Sequence, residues 1–221
     1  MKLSDIESLS GLGKISWKKS VSAGIAIGLG CSVNLAVGGI YGAILFSLGL
    51  LLVLVFDLSL FTGKVGKANF TGTLTETGKI PIFMDIPRLL KILVGNIFGI
   101  SLVASIIYFG GFPEILDKAN SVSKERESLE LISVFFRSVG CGVIMDTLVR
   151  VYQKTNKLWP VILGIPTFIL SGFLHSVAEP FYLLISGNYG YWLISYYVVV
   201  ILGNFVGCRV PRFLGISGLK S

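Results

Sequence analysis

The sequence predicts an all-α membrane protein of six transmembrane helices, arranged as a 3+3 inverted repeat in which helices two and five are broken. Three observations carry that expectation. The first is hydropathy. Of 221 residues, 53% are hydrophobic and only 14% charged, and the mean hydropathy is +0.81. That is more apolar surface than a soluble domain of this size needs. A spanning helix takes about 20 apolar residues, and six stretches qualify, at about 17–39, 40–62, 88–110, 131–152, 158–185 and 190–208. The second is internal repetition. Leu93-Val94-Gly95-Asn96-Ile97-Phe98-Gly99 in span three is answered by Ile201-Leu202-Gly203-Asn204-Phe205-Val206-Gly207 in span six. Each closes a group of three spans, and an odd number of spans turns the second group over in the membrane. The third is a loss of helical character in span two, at Asp57-Leu58-Ser59-Leu60-Phe61-Thr62-Gly63, and in span five, from Ser171 to Pro180. Broken helices at matching places in an inverted repeat point to a transport site near the midplane.

Taken in order, residues 1–16 form a cytoplasmic N-terminal segment. Leu3, Ile6, Leu9 and Leu12 alternate with Asp5, Glu7 and Ser8. That spacing fits an amphipathic helix on the inner membrane face, or equally a disordered tail. There is no short apolar h-region of a cleavable signal peptide. Span one carries Gly24-x-x-x-Gly28, a spacing that lets helices approach closely but is also ordinary glycine enrichment. Span two starts directly after Gly38-Gly39, and its Phe46 and Leu50, four apart, share one helix face. The stretch from Pro113 to Glu130, with five acids against three bases, reads as an outer solvated loop or short surface helix without an assigned function. Span four places Arg137 and Asp146 in one apolar helix, where each should face a cavity or a partner. Arg137 either snorkels to the outer interface or draws anions into an outer vestibule. The spans together make one channel domain over 17–208. Residues 209–221 form a cytoplasmic tail.

The net charge of +7 follows from topology rather than from nucleic acid, which is not expected as a partner. Lysine and arginine concentrate before span one, around the connection of spans two and three, between spans four and five, and after span six. Lys118, Lys124 and Arg126 alone fall on the other side. The positive-inside rule then puts both termini in the cytoplasm of a multi-pass protein of the cell (inner or plasma) membrane. Cys31, Cys141 and Cys208 read as small apolar residues. One histidine and three scattered cysteines build no metal site, so neither metal nor cofactor is expected. No nucleophile–base pair argues for an enzyme.

Four motifs resemble the formate/nitrite transporter family of small-anion channels, over roughly residues 15–210. They are Leu60-Phe61-Thr62-Gly63 after span two, Phe135-Phe136-Arg137-Ser138-Val139-Gly140-Cys141-Gly142 in span four, Gly172-Phe173-Leu174-His175-Ser176-Val177-Ala178-Glu179 in span five, and Leu202 to Gly207 in span six. The resemblance implies an aquaporin-like protomer assembled as a homopentamer with one pore per subunit. It implies a central pore histidine at His175, a loop threonine at Thr62 and a polar residue beside the histidine at Asn204. Apolar constrictions fall on Phe46, Leu50, Phe61 and Phe168. Arg137 stands where the family carries lysine. The chain departs from the family at Leu174, where the family has glutamate, and at Glu179 and Gly142, where it has asparagine. Asp57 and Asp146 add further acids.

These residues suggest a mechanism. A small anion is costly to bring into a dry constriction, and neutralising it removes most of that cost. Histidine titrates near neutrality, so the expected substrate is a monovalent anion of a weak acid (formate, nitrite or hydrosulfide type). It passes with protonation at His175 or at water in its field. Glu179 leaves open a channel for a neutral or cationic solute such as ammonia or water. A non-transporting membrane scaffold is the reading from another class.

Overall fold

In a computed structural model of the chain, Leu12 and residues 14–68, 74–75, 78–79 and 85–216 are described. Leu3 to Leu9 of the proposed amphipathic segment and the last five residues of the tail lie outside them. The described residues form helices α1 (Trp17–Val37), α2 (Gly39–Val55), α3 (Phe61–Val65), α4 (Ile86–Phe109), α5 (Pro113–Glu127), α6 (Leu131–Thr155), α7 (Trp159–Leu170), α8 (Glu179–Ile185), α9 (Trp192–Gly207) and α10 (Val210–Phe213). A two-residue antiparallel ladder, β1 (Leu74–Thr75) with β2 (Gly78–Lys79), is the sole sheet among them. The outer charged stretch is thus a four-turn helix, α5.

Among the described residues, four stretches are long and apolar enough to cross a membrane: Trp17–Val37, Ile86–Phe109, Leu131–Thr155 and Trp192–Phe213. α2 and α7 are shorter apolar helices. α1 turns directly into α2 because Gly38 and Gly39 both take positive φ, 72° and 55°, a conformation that costs other residues strain. After α2 the chain does not continue as helix. Asp57 takes a left-handed φ of 48°, Leu60 is extended, and α3 begins at Phe61. The second interruption is longer. α7 ends at Leu170, Gly172 takes φ 68°, and helix resumes at Glu179 with Pro180 in its first turn, where a missing N–H costs nothing.

α1 packs along α4, and α6 along α9, through small residues. A Cβ on Gly99 of α4 would sit 2.1 Å from the carbonyl oxygen of Val21, and one on Gly207 of α9 would sit 2.1 Å from that of Val139. Backbone lies against backbone in both pairs, the packing that small residues permit where lipid supplies no hydrophobic drive between helices. α2 packs on α1 and on α7. The short helices cross over: α3 lies on α6, and α8 lies on α4 and α5. A continuous core that includes Ile27, Phe46, Leu50, Ile92, Met145 and Phe181 fills the space between. Outward, Leu90, Val94, Phe98, Leu102 and Ile106 make an exposed apolar row along α4.

Charges gather at the end of the bundle near α3. Lys19 Nζ pairs with Asp57 at 2.8 Å. Asp146, buried, takes the guanidinium of Arg150 one turn along α6. That arginine also donates to the carbonyls of Gly66 and Ile216, and Arg209 donates to those of Val65 and Ala68. The partner expected for Asp146 is therefore supplied by its own helix.

Replacing Gly99 by Leu forces α4 off α1 against an unyielding backbone. The expected destabilisation is about 3 kcal/mol or more, the upper end for overpacking. Melting of detergent-purified protein measures it, with Val94→Ala on the exposed row as control. A Gly99→Leu protein that melts with the parent would contradict the contact.

Candidate functional site

Each interruption strips backbone groups of helical partners, and in each the same residue type restores them. Asn96 on α4 donates from Nδ2 to the carbonyls of Ser20 and Ser59, both at 2.8 Å, and accepts the Phe61 N–H on Oδ1 at 2.9 Å. Asn204 on α9 donates to the carbonyls of Ser138 and Leu174, both at 2.8 Å, and accepts the Ser176 N–H at 2.8 Å. One carboxamide thus ties a neighbouring helix to the two sides of one residue: Leu60 in the first case, His175 in the second. Both asparagines are fully buried, where a polar group left unpaired is costly.

His175 is 1% exposed. Its Nε2 lies 3.0 Å from Thr62 Oγ1, so a hydrogen bond joins the two interruptions. Its Nδ1 is buried and has no partner among the described residues. The ring of Phe168 lies 6.0 Å from the imidazole, centroid to centroid, and meets Phe46 edge-on at 5.9 Å and 82°. Histidine, threonine and two phenylalanines are thereby brought together. Leu50 and Phe61 are buried in the same core. Asn204 does not touch the imidazole. It fixes the backbone on either side of it.

Two cavities approach this cluster. One, of about 80 Å³, is lined by Phe168, Phe173, His175, Glu179, Tyr182 and Arg126 among others. The other, of about 340 Å³, lies by α3 and is lined by Leu58, Leu60, Gly63, Lys64, Lys67 and Tyr152 among others. Arg137 borders neither. Its side chain is 36% exposed, with Nη1 3.8 Å from Glu125 Oε1.

Two residues at the smaller cavity carry roles that sequence reasoning did not assign. Arg126 of α5 donates from Nε to Glu179 Oε2 at 3.3 Å and from Nη1 to Glu125 Oε1 at 2.9 Å. Glu179, 2% exposed, also accepts from Tyr196 Oη at 2.6 Å. Burial works against the charge on Arg126, but Glu179 and its neighbours outweigh it and hold the guanidinium above the ordinary arginine range. The signal in the sequence is Glu179 itself, since a carboxylate inside an apolar run demands a cation.

A model of the formate/nitrite transporter family matches residues 13–214. Among solved structures, the chain is similar to one described as a pentameric formate channel with formate bound, at TM-score 0.71 and 21% identity, covering 97% of this chain and 96% of that one. A second, described as an FNT family ion channel, matches at TM-score 0.70 and 21% identity over 90% of this chain and 87% of that one. No curated protein matches at a significant level.

Replacing Asn204 by Leu leaves two carbonyls and one N–H without partners, at about 1–3 kcal/mol each. The expected result is a lower melting temperature and faster amide exchange at Ser176, with Phe61 still protected. Asn96→Leu should do the reverse. Equal loss of protection at both amides in either variant would refute the separate clamps.

Proposed function

Because the chain belongs to the formate/nitrite transporter family, we propose that it carries small monovalent anions of weak acids across a membrane, through a passage inside each subunit. The observation that carries this reading is the Thr62–His175 bond, which joins the two interruptions beneath an apolar wall of Phe46 and Phe168. A bare anion is strongly disfavoured in so dry a place. A protonated one is not. In this mechanism His175, or water ordered by it, delivers the proton, and Thr62 holds the Nε2 edge of the ring. The free Nδ1 is the edge available to a passing molecule. Lys64 and Lys67 at the larger cavity attract anions at the other mouth. Arg137 adds positive potential on the outer side.

The rest of the architecture enters on the same footing. The six spans form two inverted sets of three, aquaporin-like, with helices two and five broken at α2/α3 and α7/α8. The matching bonds of Asn96 and Asn204 support that pairing. The family relative with formate bound is pentameric by its description, and this chain is read likewise as a homopentamer. Its exposed apolar rows face lipid or neighbouring copies. Both termini lie in the cytoplasm, as the distribution of lysine and arginine favours. Glu179 would favour a cationic or neutral solute were its charge free. Its ion pair with Arg126 removes that preference, so the anion reading stands first.

Proteoliposomes loaded with pH-sensitive dye test the proposal across formate, nitrite, hydrosulfide and ammonium. Anion uptake should rise as the outer pH falls. His175→Asn should flatten that dependence. Flux of ammonium alone, or an unaltered pH profile in the variant, would sink the proton role.

A further inference from the structure

The helix between spans three and four does more than cover a surface. α5 presents Ile115, Ala119 and Ser123 as buried residues, and Arg126 continues the same face toward α8. Only 11% of the Arg126 side chain is exposed. Two of its three nitrogens are engaged by Glu179 and Glu125, and Nη2 makes no hydrogen bond to a described residue. His175 lines the same small cavity, and its Nδ1 is buried with no partner among the described residues. The lining of the chamber therefore includes the Arg126 and His175 side chains together with the rings of Phe168 and Phe173. Glu179 is held from behind by Tyr196 Oη at 2.6 Å, so the position of the guanidinium is fixed.

We propose that this chamber is a binding site for one small monovalent carboxylate or oxyanion, with Arg126 as its specificity-determining residue and Glu179 as the group that positions Arg126 and weakens its hold. The inference rests on the anion-channel reading and adds a site to it. A guanidinium prefers planar two-oxygen anions and binds them by charge-assisted hydrogen bonds. Unopposed in a nearly dry chamber, it would trap them. Conduction requires binding strong enough to admit the ion and weak enough to release it. Glu179 supplies the opposition. The buried pair is neutral, and the more exposed Glu125 adds a solvent-screened negative charge at Nη1, so one monovalent anion is the most the cluster tolerates and a divalent anion is disfavoured.

The test uses the full-length protein in proteoliposomes with sodium formate as probe, reading flux against concentration. Glu179→Gln should lower the half-saturating concentration about tenfold and reduce maximal flux, as a charge-assisted contact loses its competitor. The isosteric neutral pair Arg126→Gln/Glu179→Gln should raise half-saturation about tenfold. Arg126→Lys, which keeps the charge but not the planar fork, should raise it severalfold and covers the case in which the double variant does not fold. If wild type conducts formate and the folded variants saturate where it does, the site is wrong while the channel reading survives. If wild type carries no anion, both fall together. Higher half-saturation in Glu179→Gln would also overturn the proposed role of the carboxylate.

Discussion

Two carboxamides hold this structure open where a helix would otherwise run. A chain in hydrocarbon has no water to satisfy stray backbone groups, so every break in a helix must be answered by protein. Asn96 and Asn204 give that answer in the same form: one NH₂ donates to two carbonyls and the carboxamide oxygen accepts one N–H. The glycines around each asparagine exist for the same purpose. They let the neighbouring helix come close enough for a short side chain to reach across. Without the close pairing of α1 with α4 and of α6 with α9, neither clamp could form, and Thr62 and His175 could not meet.

Charge is handled by the same economy. Among the described residues each buried carboxylate named here has a cation at hand: Arg150 for Asp146 and Arg126 for Glu179. Breaking such pairs costs more than the pair gains, so these contacts govern where α3 and α5 sit. Among the described residues, Nδ1 of His175 and the neighbouring Oγ of Ser176 are buried polar atoms left unanswered. An unsatisfied nitrogen in a packed interior is a place prepared for something that arrives and leaves.

Much of this is legible in the sequence, for identifiable reasons. Apolar runs announce the helices, and Gly38-Gly39 marks the tight turn between the first two. The paired G-N-x-x-G segments lie on α4 and α9 and supply the two buried asparagines. His175 stands out as the one histidine, set in an interrupted apolar run. The bonds themselves are not legible, because they join residues tens of positions apart. Asn204 reads as a residue near the histidine, whereas its contacts are with the backbone on either side. Arg126 is hidden for a different reason. Five acids and three bases suggest a solvated loop or short surface helix, and only the spacing of Ile115, Ala119, Ser123 and Arg126 along one helical face reveals an inward side. Arg137, conspicuous in an apolar helix, lies instead partly exposed beside Glu125 of α5.

The crossing of the short helices bears on how the protein is made. α3 finishes its packing against α6, and α4 lacks a face until α8 arrives. Thr62 and its histidine are 113 residues apart. During synthesis α3 and α4 therefore emerge before the helices that complete their packing, α6 and α8. The central contact therefore forms only once residues from both halves of the chain are in place.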